Sequence, residues 1–259
     1  MISVDAARTV VGIVGNVTAL GLFLSPMPTF CHIWKKRSVE QFSPIPYLAA
    51  LLNCTLWMLY GLPMVQPHCI LIVTINGSGF LIELFYVLMF IYYSDRKKRM
   101  QVLVMLLLEV CFCGAVAAFV LLVVHTPERR SLIVGSLCVF FTTLMYAAPL
   151  SVMKIVIRTR SVEFLPFYLS VASFANGTCW TAYALIRFDL FVSIANGVGV
   201  LMGLIQLGLH AAFYKSTKKQ LGARKALGET CLAEIVLIGD TSKVCNAPQN
   251  GHATQIISK

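Results

Sequence analysis

Long apolar stretches separated by short polar segments occupy most of the chain. A helix needs about 20 apolar residues to cross a bilayer, and seven of the stretches reach that length. They lie at 9–33, 45–64, 69–93, 100–124, 131–157, 166–186 and 190–213. The segment that follows, 215–259, is polar and shows no periodic pattern, so we expect a disordered tail. The pattern therefore predicts an all-α membrane protein with seven transmembrane helices.

Composition and charge agree with a membrane protein and give it an expected orientation. The chain is 58% hydrophobic and 12% charged, whereas soluble domains carry about 25% charged residues. Most of the 21 Lys and Arg residues follow the first, third, fifth and seventh stretches, and basic loops of this kind normally face the cytosol. We therefore expect the N-terminus outside and the C-terminal tail in the cytosol. The basic residues are explained by topology, so nucleic acid is not an expected partner.

The first three stretches resemble the last three. The sequence RSVE at 37–40 recurs at 160–163, and NGSG at 76–79 is matched by NGVG at 196–199. Three spans invert the chain and one further span restores its direction. The sequence thus predicts two parallel three-helix repeats joined by a linker helix (3-1-3), a transporter architecture. The expected divisions are 1–94 for the first repeat, 95–130 for the linker helix, 131–214 for the second repeat and 215–259 for the tail.

Each repeat carries an amide and an indole four residues apart. Asn53 and Trp57 in the second stretch match Asn176 and Trp180 in the sixth, both pairs being displaced by 123 residues. Residues i and i+4 share one face of a helix. An uncharged amide suits the hydroxyls of a neutral polyol, and a flat indole packs on the C–H faces of a sugar ring. Interhelical packing by Asn and an interfacial Trp would be the plainer explanation of one copy alone.

Several motifs together resemble the SWEET family of sugar transporters. They are LSPMPTF at 24–30, RSVEQFSPIPY at 37–47 against RSVEFLPFYLS at 160–170, and N-G-x-G in the third and seventh stretches. The resemblance covers about residues 8–213. It implies bidirectional, facilitated movement of a sugar by alternating access, without an ion gradient. Such a protein is not an enzyme and needs no cofactor or metal, and the nine cysteines form no C-x-x-C pair.

The resemblance also implies roles for particular residues. The substrate site falls on Asn76 and Asn196, with Trp57 and Trp180 above and below and Asn53 and Asn176 lining it. Hinges in the cytosolic half are implied at Pro26, Pro46, Pro149 and Pro166, with an inner-gate association for Gln206. An outer gate is implied at Tyr60 and Asp189, with Tyr183 nearby.

Four bulky positions favour a small sugar. Leu22 and Met145, each four residues before a hinge proline, join Asn53 and Asn176 in the expected lining. Sucrose-carrying relatives have smaller residues at some of these positions, and a pocket rejects a larger ligand by steric clash. We therefore expect monosaccharides such as glucose to be carried in preference to sucrose. A sucrose carrier of the same family is the alternative.

Other functions remain open at this point. Glu83 and Glu109 lie in apolar stretches and could couple transport to protons, although neither has a counterpart in the other repeat. Seven spans also fit a receptor or sensor, but receptors are not built from a parallel three-helix repeat. A related carrier of basic amino acids would need paired acidic residues that are absent. The expected partners are the sugar and the lipid bilayer, with a homo-oligomer left open. The expected location is the plasma membrane or the vacuolar membrane.

Overall fold

The computed structural model describes the backbone of residues 3–238 and the side chains of residues 3–226. All regular structure in this part of the chain is helical. In chain order the helices are α1 (Val4–Leu24), α2 (Met27–Lys36), α3 (Ile45–Tyr60), α4 (Ile70–Tyr93), α5 (Arg96–Ala118), α6 (Pro127–Met145), α7 (Ala147–Thr159), α8 (Phe167–Ile186) and α9 (Leu190–Ile238). A short π-helical turn, Phe119–Val123, continues α5.

The first and fifth predicted spans are each broken into two helices. Proline has no N–H to donate and its ring clashes with the carbonyl four residues earlier. The first break falls at Ser25, whose N–H bonds the carbonyl of Leu22 at 3.1 Å, directly before Pro26. The second falls at Tyr146, whose N–H bonds Thr143 at 3.1 Å, shortly before Pro149. The two repeats therefore share the same interruption.

The helices form two three-helix repeats with a common internal order. In the first repeat α4 packs against both α1 and α3, and in the second α9 packs against both α6 and α8. Between repeats, α1 contacts α8 and α3 contacts α6. In the repeat α1 corresponds to α6 and α3 corresponds to α8, so each of these two contacts is the counterpart of the other. This is expected for parallel units that are related by a twofold axis. The linker helix α5 lies against α3 and α4, and thus beside the first repeat.

Five helical stretches of the described residues are long and apolar enough to cross a membrane. They are Val4–Lys36, Ile70–Tyr93, Arg96–Val123, Pro127–Thr159 and Leu190–Ala226. The remaining two predicted spans correspond to α3, a shorter apolar helix of 16 residues, and to α8, which carries more polar side chains. These two helices bring the Asn–Trp pairs to the centre of the bundle.

The predicted tail requires a correction. We expected disorder from residue 215, but α9 continues as one helix to Ile238. The segment 215–238 contains no proline and is rich in Lys, Ala, Leu and Glu, which favour helix. Because the preceding span already supplies a helical nucleus, extending it carries no new nucleation cost. The rest of the predicted tail, 239–259, lies outside the described residues.

Candidate functional site

A cavity of about 200 Å³ lies between the two repeats. Its lining consists of seven pairs of residues that are equivalent in the two repeats, being 123 or 120 positions apart. The pairs are Ala19/Thr142, Phe23/Tyr146, Asn53/Asn176, Trp57/Trp180, Ile72/Val192, Ile75/Ala195 and Asn76/Asn196. The cavity thus lies on the approximate twofold axis that relates the two repeats. Four amides and two indoles give it a lining that is polar but uncharged.

The amides of Asn76 and Asn196 are held in the same way. The Nδ2 group of Asn76 donates to the carbonyl of Ile72 at 2.9 Å, one turn earlier on α4. The Nδ2 group of Asn196 donates to the carbonyl of Val192, also at 2.9 Å, on α9. Each bond fixes an amide and uses one of its two donor hydrogens. One N–H and the carbonyl oxygen of each side chain are left for a ligand.

A hydroxyl on α6 connects the first Asn–Trp pair to the second repeat. The indole N–H of Trp57 donates to Oγ1 of Thr142 at 3.1 Å, and that hydroxyl donates to Oδ1 of Asn53 at 2.8 Å. On the opposite side, Thr18 of α1 donates to Oδ1 of Asn176 at 3.2 Å. Both outer amides are therefore oriented by a threonine from the other repeat. In each case an Asn amide retains its N–H donors for a bound molecule.

The second indole lies against a glycine. A Cβ added at Gly15 would approach the Trp180 ring to 3.0 Å, closer than side chains normally come. Gly15 therefore lets the indole approach α1 closely, at the α1–α8 contact. Trp57 and Trp180 are 7% and 6% exposed, so each is buried except for the part that faces the cavity.

The two halves of the cavity are not identical. The second repeat contributes hydroxyls at Thr142 and Tyr146, where the first repeat has Ala19 and Phe23. The Tyr146 hydroxyl donates to the carbonyl of Ala195 at 3.2 Å. More hydrogen-bonding groups therefore come from the second repeat, and a ligand with unequal faces would be bound in a preferred direction.

A buried hydrogen-bond network around Asp189 adjoins the cavity, since Tyr60 packs on Trp57 with ring centres 5.4 Å apart. The Tyr60 hydroxyl lies 2.8 and 2.9 Å from the two carboxylate oxygens. Gln66 donates to Asp189 at 3.2 Å and accepts from Ser131 at 3.0 Å. The backbone N–H of Val192 also donates to the carboxylate, at 3.1 Å. This network joins α3 of the first repeat to α6 and α9 of the second.

A second layer of contacts lies beside it. The guanidinium of Arg8 lies 4.1 Å from the centre of the Tyr183 ring. This is a cation–π contact, in which the ring face attracts the positive charge of the arginine. Arg8 also donates to the carbonyl of His68 at 2.8 Å, and the Tyr183 hydroxyl reaches the same carbonyl at 3.4 Å. Tyr60 and Tyr183 are equivalent in the repeats and both are fully buried. The loop between α3 and α4 is thereby held across the top of α1 and α8.

The structure brings together most residues that the sequence indicated. Six of the eight expected substrate-binding residues line the cavity, but Leu22 and Met145 do not; their neighbours Phe23 and Tyr146 do. Successive residues of a helix point about 100° apart, so an error of one position turns a side chain out of the lining. The side chains of Thr142, Thr18, Gln66, Ser131 and Arg8 were not anticipated.

The remaining expected residues lie outside the cavity. The four prolines all stand at interruptions or helix starts: Pro26 between α1 and α2, Pro46 in the first turn of α3, Pro149 in the first turn of α7 and Pro166 at the start of α8. Gln206 is half-buried on α9. Glu83, 4% exposed, and Glu109 each have one carboxylate oxygen that is buried without a hydrogen-bond partner in the described residues.

Comparison with known proteins finds a matching family model and several similar chains. A family model described as "Sugar efflux transporter for intercellular exchange" matches residues 9–98 and 132–218. The chain is 56% identical over 253 residues to the bidirectional sugar transporter SWEET4 of Oryza sativa subsp. japonica, covering 98% of this chain and 97% of that one. It is 53% identical over 244 residues to the bidirectional sugar transporter SWEET7 of Arabidopsis thaliana, covering 93% and 95%. A solved eukaryotic SWEET transporter superposes with a TM-score of 0.80 at 40% identity, covering 82% of this chain and 99% of that one.

Proposed function

The chain belongs to the SWEET family of sugar transporters, and from that premise we propose that it is a bidirectional uniporter for monosaccharides. It is a multi-pass membrane protein rather than an enzyme. Its relatives are named bidirectional sugar transporters, and the sugar is the proposed substrate here. The single observation that carries the proposal is the cavity on the twofold relation, with paired amides and indoles.

The chemistry of the cavity supports a neutral, hydroxylated substrate. Each sugar hydroxyl both donates and accepts, and so does each Asn amide, without introducing a charge. The indoles of Trp57 and Trp180 offer flat apolar faces to the C–H groups of a ring. A cationic substrate would instead require acidic partners in the cavity, and its lining residues contain no carboxylate.

The volume of the cavity supports a monosaccharide. At about 200 Å³ the cavity is smaller than the pockets of about 300–1,000 Å³ that hold drug-sized ligands. A cavity of this size favours a small ligand such as a single sugar ring, whereas a disaccharide has nearly twice as many atoms. Phe23 and Tyr146 limit the size of the cavity in place of Leu22 and Met145, which we had expected in its lining. Together with Asn53 and Asn176 they make sucrose the less favoured substrate.

Alternating access requires the cavity to close in turn on each side of the membrane, and each closure can be assigned to particular elements. The Tyr60–Asp189 network forms the outer gate, and its hydrogen bonds must break before a sugar can enter from outside. The four prolines give the opposite halves of the repeats their hinges, because the interrupted helices bend there at little cost. With the basic loops in the cytosol, the outer gate faces the exterior of a plasma-membrane protein.

Proton coupling receives no support from the acidic residues. Glu83 and Glu109 are absent from the lining of the cavity, and neither pairs with a basic group in the described residues. Neither acid therefore contacts the sugar site, and we propose that transport follows the sugar gradient alone.

Uptake by purified protein in liposomes tests the proposal. Labelled glucose is measured against excess unlabelled glucose, galactose, fructose or sucrose, with protein-free liposomes as the control. We expect the hexoses to compete strongly and sucrose to compete weakly. Sucrose that competes as well as glucose, and is itself taken up, would refute the monosaccharide preference. Ligand binding without any uptake would instead favour a receptor or sensor.

A further inference from the structure

A second cavity lies outside the sugar site, on the membrane-facing surface of the first repeat. It is a groove of about 510 Å³ between α2 and α4, and its lining is almost wholly apolar. We call it the α2–α4 groove. It is lined by Leu24, Met27, Phe30, Cys31, Trp34, Leu81, Ile82, Phe85, Tyr86 and Met89.

The floor and walls of the groove follow from helical periodicity. Phe30 and Tyr86 form the floor, with stacked rings 4.2 Å apart that hold α2 on α4. Residues 27, 31 and 34 lie on one face of α2, and residues 81, 85 and 89 lie on one face of α4. Most of these wall side chains are exposed, so they face lipid in a membrane.

The length of the groove corresponds to one leaflet of a bilayer. On the unbroken helix α4 the lining runs from Leu81 to Met89, eight residues or about 12 Å at 1.5 Å per residue. The hydrocarbon core of a membrane is about 30 Å thick, so one leaflet contributes about half of that. A single acyl chain therefore matches the groove in length as well as in polarity.

The cytosolic end of the groove is basic. Lys35 stands one turn after Cys31, and so continues the groove face of α2, and Lys36 follows it at the end of the helix. In the described part of the chain neither lysine has a carboxylate within ion-pair distance. Trp34, 54% exposed, occupies the interfacial level that indoles favour. Two unpaired ammonium groups at this level attract anionic headgroups.

The second repeat lacks these features at equivalent positions. Lys154 stands where the first repeat has Cys31, and Gln206 stands where it has Tyr86. An ammonium and an amide would interrupt an apolar groove at its wall and floor. The groove is therefore a property of the first repeat and does not follow from the repeat architecture.

We propose that the α2–α4 groove binds one acyl chain of an anionic phospholipid of the cytosolic leaflet, with the headgroup between Lys35 and Lys36. The choice of leaflet rests on the orientation proposed above. The binding itself does not depend on sugar transport, so either proposal can fail without the other.

Trp34 provides the test. The purified protein is titrated with phosphatidylglycerol or with phosphatidylcholine, each carrying brominated acyl chains that quench a neighbouring indole. Trp57 and Trp180 are buried, so Trp34 should give most of the signal, and Trp34→Phe should remove it. We expect phosphatidylglycerol to quench at lower concentration than phosphatidylcholine. Each lysine should contribute about fivefold to this preference.

Two variants separate the headgroup from the acyl chain. Lys35→Gln with Lys36→Gln should abolish the preference for the anionic lipid, whereas the matched pair Lys218→Gln with Lys219→Gln on α9 should retain it. Cys31→Phe, which fills the groove and keeps both lysines, should weaken quenching by both lipids several-fold. Equal quenching by the two lipids in the unchanged protein would overturn the proposal, as would full affinity in the Cys31→Phe variant. Absence of quenching together with cross-linking of copies through Cys31 would make the groove an interface between copies, and would also overturn it.

Discussion

Removal of one hydroxyl from the outer gate should have a large and measurable effect. In Tyr60→Phe, Asp189 loses the donor that lies within 2.9 Å of both its carboxylate oxygens but keeps Gln66 and the N–H of Val192. A hydrogen bond to a charged group contributes about 1.5–3 kcal/mol. In the outward-open state water would replace the lost donor, so the penalty falls on the closed state alone. The closed-to-open equilibrium should then shift by about tenfold to a hundredfold.

Cys69 reports this shift. It is 2% exposed and lies beside Arg8, in the layer of contacts next to the gate. The rate at which a membrane-impermeant thiol reagent labels Cys69 should rise in Tyr60→Phe in proportion to the open population. The matched control is Tyr183→Phe, which loses one longer bond of 3.4 Å to a neutral carbonyl and should shift labelling by less than about fivefold. Equal labelling of Tyr60→Phe and the unchanged protein, with both properly folded, would refute the assignment of the gate.

Three further substitutions follow from the geometry. Thr142→Val removes two hydrogen bonds of about 1 kcal/mol each and should lower the ratio of kcat to KM for glucose uptake about tenfold or more; an unchanged ratio would contradict its bridging role. Gly15→Ala should push the Trp180 indole off α1, and raise the KM for glucose while the protein level in the membrane stays normal; an unaltered KM would show that the indole does not contact the sugar. Glu83→Gln should leave the initial uptake rate within about twofold, with or without a protonophore. Accumulation of glucose against its gradient by the unchanged chain, abolished by the substitution or the protonophore, would establish proton coupling instead.

The repeat made much of the site predictable from sequence. Asn53 and Trp57 are unusual residues for an apolar stretch, and their recurrence at Asn176 and Trp180 identified both the symmetry and the chemistry. Such a signal needs the same residue type in both copies. Thr142 is paired with Ala19 in the cavity, so a search for repeated polar residues passes over it. A single threonine in an apolar helix also commonly bonds its own backbone, as Thr143 does here.

Helix interruptions and helix ends explain the remaining differences. Leu22 was expected in the cavity because it precedes Pro26 by one turn, yet Phe23 lines it instead. The sequence does not specify the rotation of a helix about its own axis, which is set by packing against neighbours such as α8. Likewise α9 continues past the membrane-spanning stretch. The residues there are polar, which had suggested a disordered tail, but many of them have high helix propensity. The outer network around Asp189 joins side chains far apart in sequence, so only the fold brings Gln66 and Ser131 to it.

The most direct test of the account is glucose uptake by proteoliposomes that carry Asn76→Ala or Asn196→Ala, compared at equal protein amount with the unchanged chain. The matched control is Asn16→Ala, whose amide contacts Thr74 on α4 and lies outside the cavity. Losing a hydrogen bond to a sugar in a partly desolvated cavity costs about 1–3 kcal/mol, so each cavity variant should lose about fivefold to a hundredfold in the ratio of kcat to KM. The Asn16→Ala variant should transport normally. Near-normal uptake by both cavity variants would contradict the account, because the sugar would then have to bind elsewhere.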